Sequence, residues 1–291
     1  MRDAPRRARR LLALVLTLLT VLLASAGATA ASAAPIEAAY AAPGPATVLT
    51  QDVTDGTGAV TYRIFYPADI ATGARRPIVT WGNGSWATPA QYPGLLNHLA
   101  SWGYVVIAST SQNTGTGSEM LAGAQYMVAQ DTTAGSPFQG RLDTTAIGAV
   151  GHSQGAGGAV NATTHSGGLI RTTVTYALPA PLWVGAADAF DVGQLTGPSF
   201  FIGGQWDVLI ASATELRKYY DAAGGPAAIG VINGADHNTI QNAGTPVLGY
   251  VTAWLQYQLR GDAVARGAFA GPTPELLTNS GWRARATRAL P

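Results

Sequence analysis

The chain contains no cysteine. That absence excludes a disulfide framework, a thiolate nucleophile, a thiolate metal site and a lipidated N-terminal cysteine. A chain of 291 residues that is 47% hydrophobic can hold itself together with its core alone. Charge is scarce too. Asp, Glu, Lys and Arg make up 11% of the residues, against roughly 25% in an average soluble domain. Lysine occurs once, at Lys218. The surface is therefore neutral and polar. No basic cluster follows the first ten residues, which excludes nucleic acid as a partner.

Positive charge is densest at the N-terminus. Arg2, Arg6, Arg7, Arg9 and Arg10 precede an apolar run from Leu11 to Ala24, broken only by Thr17 and Thr20. Small residues follow, with Ala31-Ser32-Ala33 as a cleavage pattern. The run falls short of the ~20 residues of a spanning helix. Residues 1–33 are expected to be a secretory signal peptide rather than a stable membrane anchor, and the mature protein to be extracellular. Its removal takes five arginines and Asp3, leaving a slightly acidic chain. Residues 34–46, rich in Ala and Pro, are expected to be a flexible lead-in to one catalytic domain over 47–291.

Along that domain strand and helix signals alternate. Val60 to Tyr66, Pro77 to Trp81, Tyr104 to Ala108, Thr145 to Val150, Thr172 to Ala177, Ser199 to Ile202 and Ala227 to Ile232 read as strands. Tyr92, Leu95, Leu96 and Leu99 fall on one helical face. So do Val247, Val251, Trp254, Leu255 and Leu259. Helices are also expected over 119–130 and 213–222. This alternation predicts an α/β fold, a mostly parallel central sheet with helices on both faces. Only a short stretch separates Ala177 from Phe200, too little for a lid domain, so an open cleft is expected.

The motif that carries chemistry is Gly151-His152-Ser153-Gln154-Gly155. A buried strand precedes it and a small-residue helix follows. This is the context of a nucleophile elbow, in which the backbone of the serine is strained and side chains two residues away would collide. A serine hydroxyl needs a base, and the base an orienting carboxylate. Four histidines are available. His98 lies opposite the apolar face of its helix and reads as a solvated surface residue. His152 adjoins the serine. His165 precedes any candidate acid. His237, in the loop after the last strand, remains as the base. Asp207, after the preceding strand, is the expected acid, while Asp188 and Asp191 read as solvated. The backbone amides of Asn83 and Gln154 are the expected oxyanion donors. Trp86, Trp183 and Trp206 lie in loops near this edge and are candidates for substrate binding. No metal-ligand spacing is present, and the expected chemistry needs no cofactor.

These residues resemble a known family. Gly82-Asn83, Leu99 to Val106, Gly151-His152-Ser153, Gly203 to Asp207 and Asp236-His237 occur in the order seen in bacterial cutinases and polyester hydrolases. The resemblance implies an α/β-hydrolase fold, a Ser153–Asp207–His237 triad and hydrolysis of carboxylic esters. It is similar over residues 46–270 and departs at three positions. Asn83 and Asn238 replace aromatic residues, and Gln154 replaces Met. Cysteines of a C-terminal disulfide have no counterpart. The expected function is a secreted, monomeric serine esterase acting on an ester that can be polymeric or lipid. A peptidase or acyltransferase on the same triad, or a non-catalytic surface-binding protein, is the alternative.

Overall fold

The structure, a computed structural model, describes residues 35–291. The expected signal segment, 1–33, lies outside the described residues. The centre of the domain is a nine-stranded sheet in the order β1-β2-β4-β3-β5-β6-β7-β8-β9. The strands are β1 (Val48–Thr54), β2 (Val60–Pro67), β3 (Arg76–Gly82), β4 (Val105–Ser109), β5 (Leu142–His152), β6 (Thr172–Tyr176), β7 (Ser199–Gly204), β8 (Ala227–Ile232) and β9 (Trp282–Arg288). From β4 through β8 every pairing is parallel. The pairings of β1, β2 and β9 are antiparallel. The α/β expectation therefore holds.

Alternation along the strands feeds two cores. Val79, Trp81, Val106 and Ala108 face one side, while Ile78, Val105 and Ile107 face the other. The first side is covered by two helices, which bring Leu95, Leu96 and Leu99, and Val247, Val251, Trp254 and Leu255. On the second side lie a helix carrying Met120, Ala124 and Met127, another carrying Ala156 and Val160, and a third carrying Leu216 and Tyr220. Strands buried on both faces read as continuous apolar runs, which is why the central ones were legible.

In chain order the principal helices are α1 (Ile36–Ala41), α2 (Pro93–Ser101), α3 (Ser118–Gln130), α4 (Gln154–Thr164), α5 (Ala213–Ala222) and α6 (Thr245–Arg260). The first corrects two expectations. Where a loose lead-in was expected at 34–46, α1 packs along α6 with Tyr40 buried. Its backbone lies so close to Gly249 that a Cβ there would sit 2.4 Å from the Glu37 carbonyl. His98, expected in solvent, is covered by the same segment. It is 7% exposed, its Nε2 donates to the Tyr40 carbonyl at 2.9 Å, and burial lowers its pKa.

Between β6 and β7, residues 177–198 carry only single 3₁₀ turns at Pro181–Trp183, Ala186–Asp188 and Val192–Gln194. No helix among the described residues is long and apolar enough to cross a membrane.

Candidate active site

The carboxyl ends of parallel strands bring the distant residues together. Asn83 follows β3, Ser153 follows β5, Asp207 follows β7 and His237 follows β8. The turn at Ser153 is tight. Its φ is +53° and ψ −120°, a strained conformation for a residue with a Cβ. The flanking glycines allow it. A Cβ on Gly151 would lie 2.0 Å from the Gly155 carbonyl oxygen, and one on Gly155 2.3 Å from the Gly82 backbone.

Ser153 Oγ lies 2.9 Å from His237 Nε2. On the far side of the ring, His237 Nδ1 is 2.5 Å from Asp207 Oδ2. A carboxylate only accepts, so Nδ1 carries the hydrogen and Nε2 is left to accept from the serine hydroxyl. The other carboxylate oxygen of Asp207 accepts from the amides of Ile210 at 3.3 Å and Ala211 at 3.1 Å. Burial pushes the Asp207 carboxyl up. The hydrogen bond and charge of His237, with the two amides, outweigh it and hold the group below its ordinary value.

Asn83 is fully buried and its side chain is locked. Oδ1 accepts from Trp81 Nε1 at 2.9 Å, and Nδ2 donates to the carbonyls of Ser109 and Ser111. Its backbone amide has no acceptor among the described residues. The amide of Gln154 opens α4, where first-turn N–H groups lack an intrahelical partner.

A second hydrogen-bonded chain was not foreseen. His152 Nε2 lies 2.8 Å from the His237 carbonyl, which can only accept. The ring therefore accepts through Nδ1 from the Tyr92 hydroxyl at 2.9 Å, and Tyr92 in turn accepts from the Gly84 amide at 3.0 Å. Burial, then the neighbouring His237, pulls the His152 pKa down to about 3, so the ring stays neutral. Sequence showed Tyr92 only as part of an apolar stripe and His152 as a neighbour of the serine. Tyr92→Phe leaves two buried polar groups without a partner and is expected to cost about 1–3 kcal/mol of stability. Urea unfolding measures it, and an unchanged midpoint at unchanged slope contradicts this account.

Beside Ser153 opens a cavity of about 340 Å³. Trp183, Val184, Phe190 and Ile210 give it an apolar wall, and Ser85, Gln154 and Asp188 a polar one. Asp188 is thus not simply solvated, as expected from sequence. A shallower depression beside His237 takes in Trp183, Trp206, Val208 and Leu209. Trp183 and Trp206 are 55% and 62% exposed, too open for core residues. Trp86, 85% exposed, lines neither. Among the described residues, no three His, Asp or Glu side chains gather as a metal site.

A family model described as PET hydrolase-like matches residues 24–285. The chain belongs to the PET hydrolase-like family. Over 202 residues it is 26% identical to a bis(hydroxyethyl) terephthalate hydrolase of Streptomyces coelicolor, a match covering 66% of this chain and 60% of that protein. With cutinase est2 of Thermobifida alba it shares 26% over 210 residues, or 69% of this chain and 64% of the relative. With a cutinase of Thermobifida fusca it shares 28% over 231 residues, covering 74% and 70%. The matches span less than two thirds of the first two relatives. This PET hydrolase-like chain therefore has the sheet its family implies, with His237 in contact with both Ser153 and Asp207 at the sheet's carboxyl edge.

Proposed function

We propose that the chain is a secreted carboxylic-ester hydrolase that works through an acyl-enzyme on Ser153. The observation that carries this reading is the unbroken contact from Ser153 Oγ through the His237 ring to Asp207, at 2.9 and 2.5 Å. His237 Nε2 takes the hydroxyl proton as Oγ attacks the ester carbonyl. Asp207 holds the ring in the required tautomer and stabilises the imidazolium. The amides of Asn83 and Gln154 receive the developing oxyanion, each such donor being worth about 2.7–4 kcal/mol in the transition state. His237 then passes its proton to the leaving alcohol. Water, activated by the same ring, adds to the acyl-enzyme and releases the acid. No step calls for a cofactor.

The absence of a lid over 177–198 and the exposed Trp183, Trp206 and Leu209 beside the site support access for bulky esters. The family and the ester-hydrolase names of its relatives support the reaction class. Export rests on the basic and apolar pattern of residues 1–33. One experiment addresses both parts. Proteins from the culture medium of cells expressing the full chain are treated with a fluorophosphonate. A single adduct on the peptide bearing Ser153, in a protein lacking residues 1–33, is the expected result. An unlabelled protein that also leaves p-nitrophenyl butyrate intact sinks the esterase reading, and retention of the leader inside the cell sinks export.

A further inference from the structure

The cavity beside Ser153 has one charged residue among the described residues that line it, Asp188. Its seat is built. A Cβ on Gly115 would lie 2.4 Å from the Asp188 carboxyl carbon, so a glycine there makes room for the group. Asn161 Nδ2 donates to the Gly115 carbonyl at 2.9 Å and to the Asp188 carbonyl at 3.4 Å, drawing the two backbones together. Gln154 Nε2 donates one hydrogen to Asp188 Oδ2 at 2.7 Å and the other to Asn113 Oδ1 at 2.6 Å. That amide is thereby saturated as a donor, and the Gln154 Oε1 is buried without a partner. No Lys, Arg or His among the described residues forms an ion pair with Asp188. The polar wall of the cleft is thus rich in acceptors, negative and uncompensated, opposite a wall made of Trp183, Val184 and Phe190.

The geometry points to Asp188 as a specificity-determining residue that selects esters whose chain in this cleft ends in a hydroxyl or ammonium group and rejects chains ending in a carboxylate. The inference rests on the esterase reading and deepens it. An apolar chain lies against Trp183 and Phe190 while its polar end donates to the free oxygen of Asp188. A terminal carboxylate meets a like charge and no cationic side chain. Partial screening by solvent leaves such a charge contact worth about tenfold in either direction.

The test compares methyl hexanoate, methyl ω-hydroxyhexanoate, methyl ω-aminohexanoate and monomethyl adipate. The order of kcat/KM is expected to run ω-amino and ω-hydroxy above the plain ester, with the adipate lowest, and roughly a hundredfold between the charged extremes. In Asp188→Asn that ratio collapses to within a few-fold, while Asp188→Glu retains the order. A merely structural role for the carboxylate lowers all four substrates together and leaves the ratio as it was, which overturns the proposal. Calorimetric titration with hexylammonium and hexanoate reads the same preference without turnover. If no ester is hydrolysed yet hexylammonium binds in an Asp188-dependent way, the esterase reading fails and the site stands. Equal affinity for the two ions, unaltered in Asp188→Asn, removes the site itself.

Discussion

Replacing Ser153 with alanine is expected to lower kcat for p-nitrophenyl butyrate by roughly 10⁵–10⁶-fold, with KM little changed. The substitution removes one atom. The Cβ stays, so the backbone at φ +53° keeps the same constraint, and the glycine contacts around the elbow are untouched. His237 also keeps its contact with Asp207. What disappears is the hydroxyl 2.9 Å from His237 Nε2, the group that forms the acyl bond in this mechanism. A residual rate above water is expected from the two oxyanion amides. Initial-rate kinetics on purified protein, with a thermal midpoint as a folding control, measure the effect. Near-wild-type turnover by the folded variant would falsify the covalent mechanism.

Asp207→Asn is expected to cost roughly 10⁴-fold in kcat. The direction follows from the two sides of the carboxylate. Oδ1 accepts from the amides of Ile210 and Ala211, so in the variant the carboxamide oxygen takes that side. The NH₂ group is then turned toward His237 Nδ1. A donor facing that nitrogen forces the hydrogen onto Nε2, and the ring can no longer accept from Ser153. There is a stability counterpart. The Asp207 carboxyl titrates below its ordinary value in the fold. It therefore contributes stability above the unfolded pKa, which is lost as pH falls through the depressed folded value. The gap in unfolding free energy between wild type and Asp207→Asn should narrow on acidification. A gap that is constant with pH contradicts the assigned carboxylate contact, and wild-type kcat in the variant contradicts the tautomer argument.

Much of this site was legible because few residues compete for each role. A cysteine-free chain with four histidines leaves little choice of nucleophile and base, and strand boundaries narrow the acid to the loop after β7. The central strands were legible because burial on both faces makes them unbroken apolar runs. The edges were not. In β9 the segment Trp282-Arg283-Ala284-Arg285 alternates with arginine, and only Trp282 of the strand is buried, so no core pattern stands out. At six residues, α1 is too short to be stable by propensity alone and exists through its seat on α6. That unseen helix also accounts for His98, whose environment is made by a segment far away in sequence. Asp188 was misplaced for a similar reason, since its partners Gln154, at the start of α4, and Gly115, in another loop, are distant in sequence.

The seat of α1 also sets an order of events. Its first amides, at Ile36 and Glu37, donate to the carboxylate of Glu275, and the Glu37 carboxylate accepts from Asn279 and Trp282. The N-terminal amides of the earliest described helix are thus capped by residues synthesised last, while its far end already meets His98, Trp102 and α6. During biosynthesis these caps are missing until residue 275 has emerged, and a chain truncated before it can still pack α1 on α6 but leaves the Ile36 and Glu37 amides without their carboxylate. The two ends of this domain are therefore joined by a latch of high sequence separation, a contact whose loop-closure cost falls on the last stretch of chain to be made.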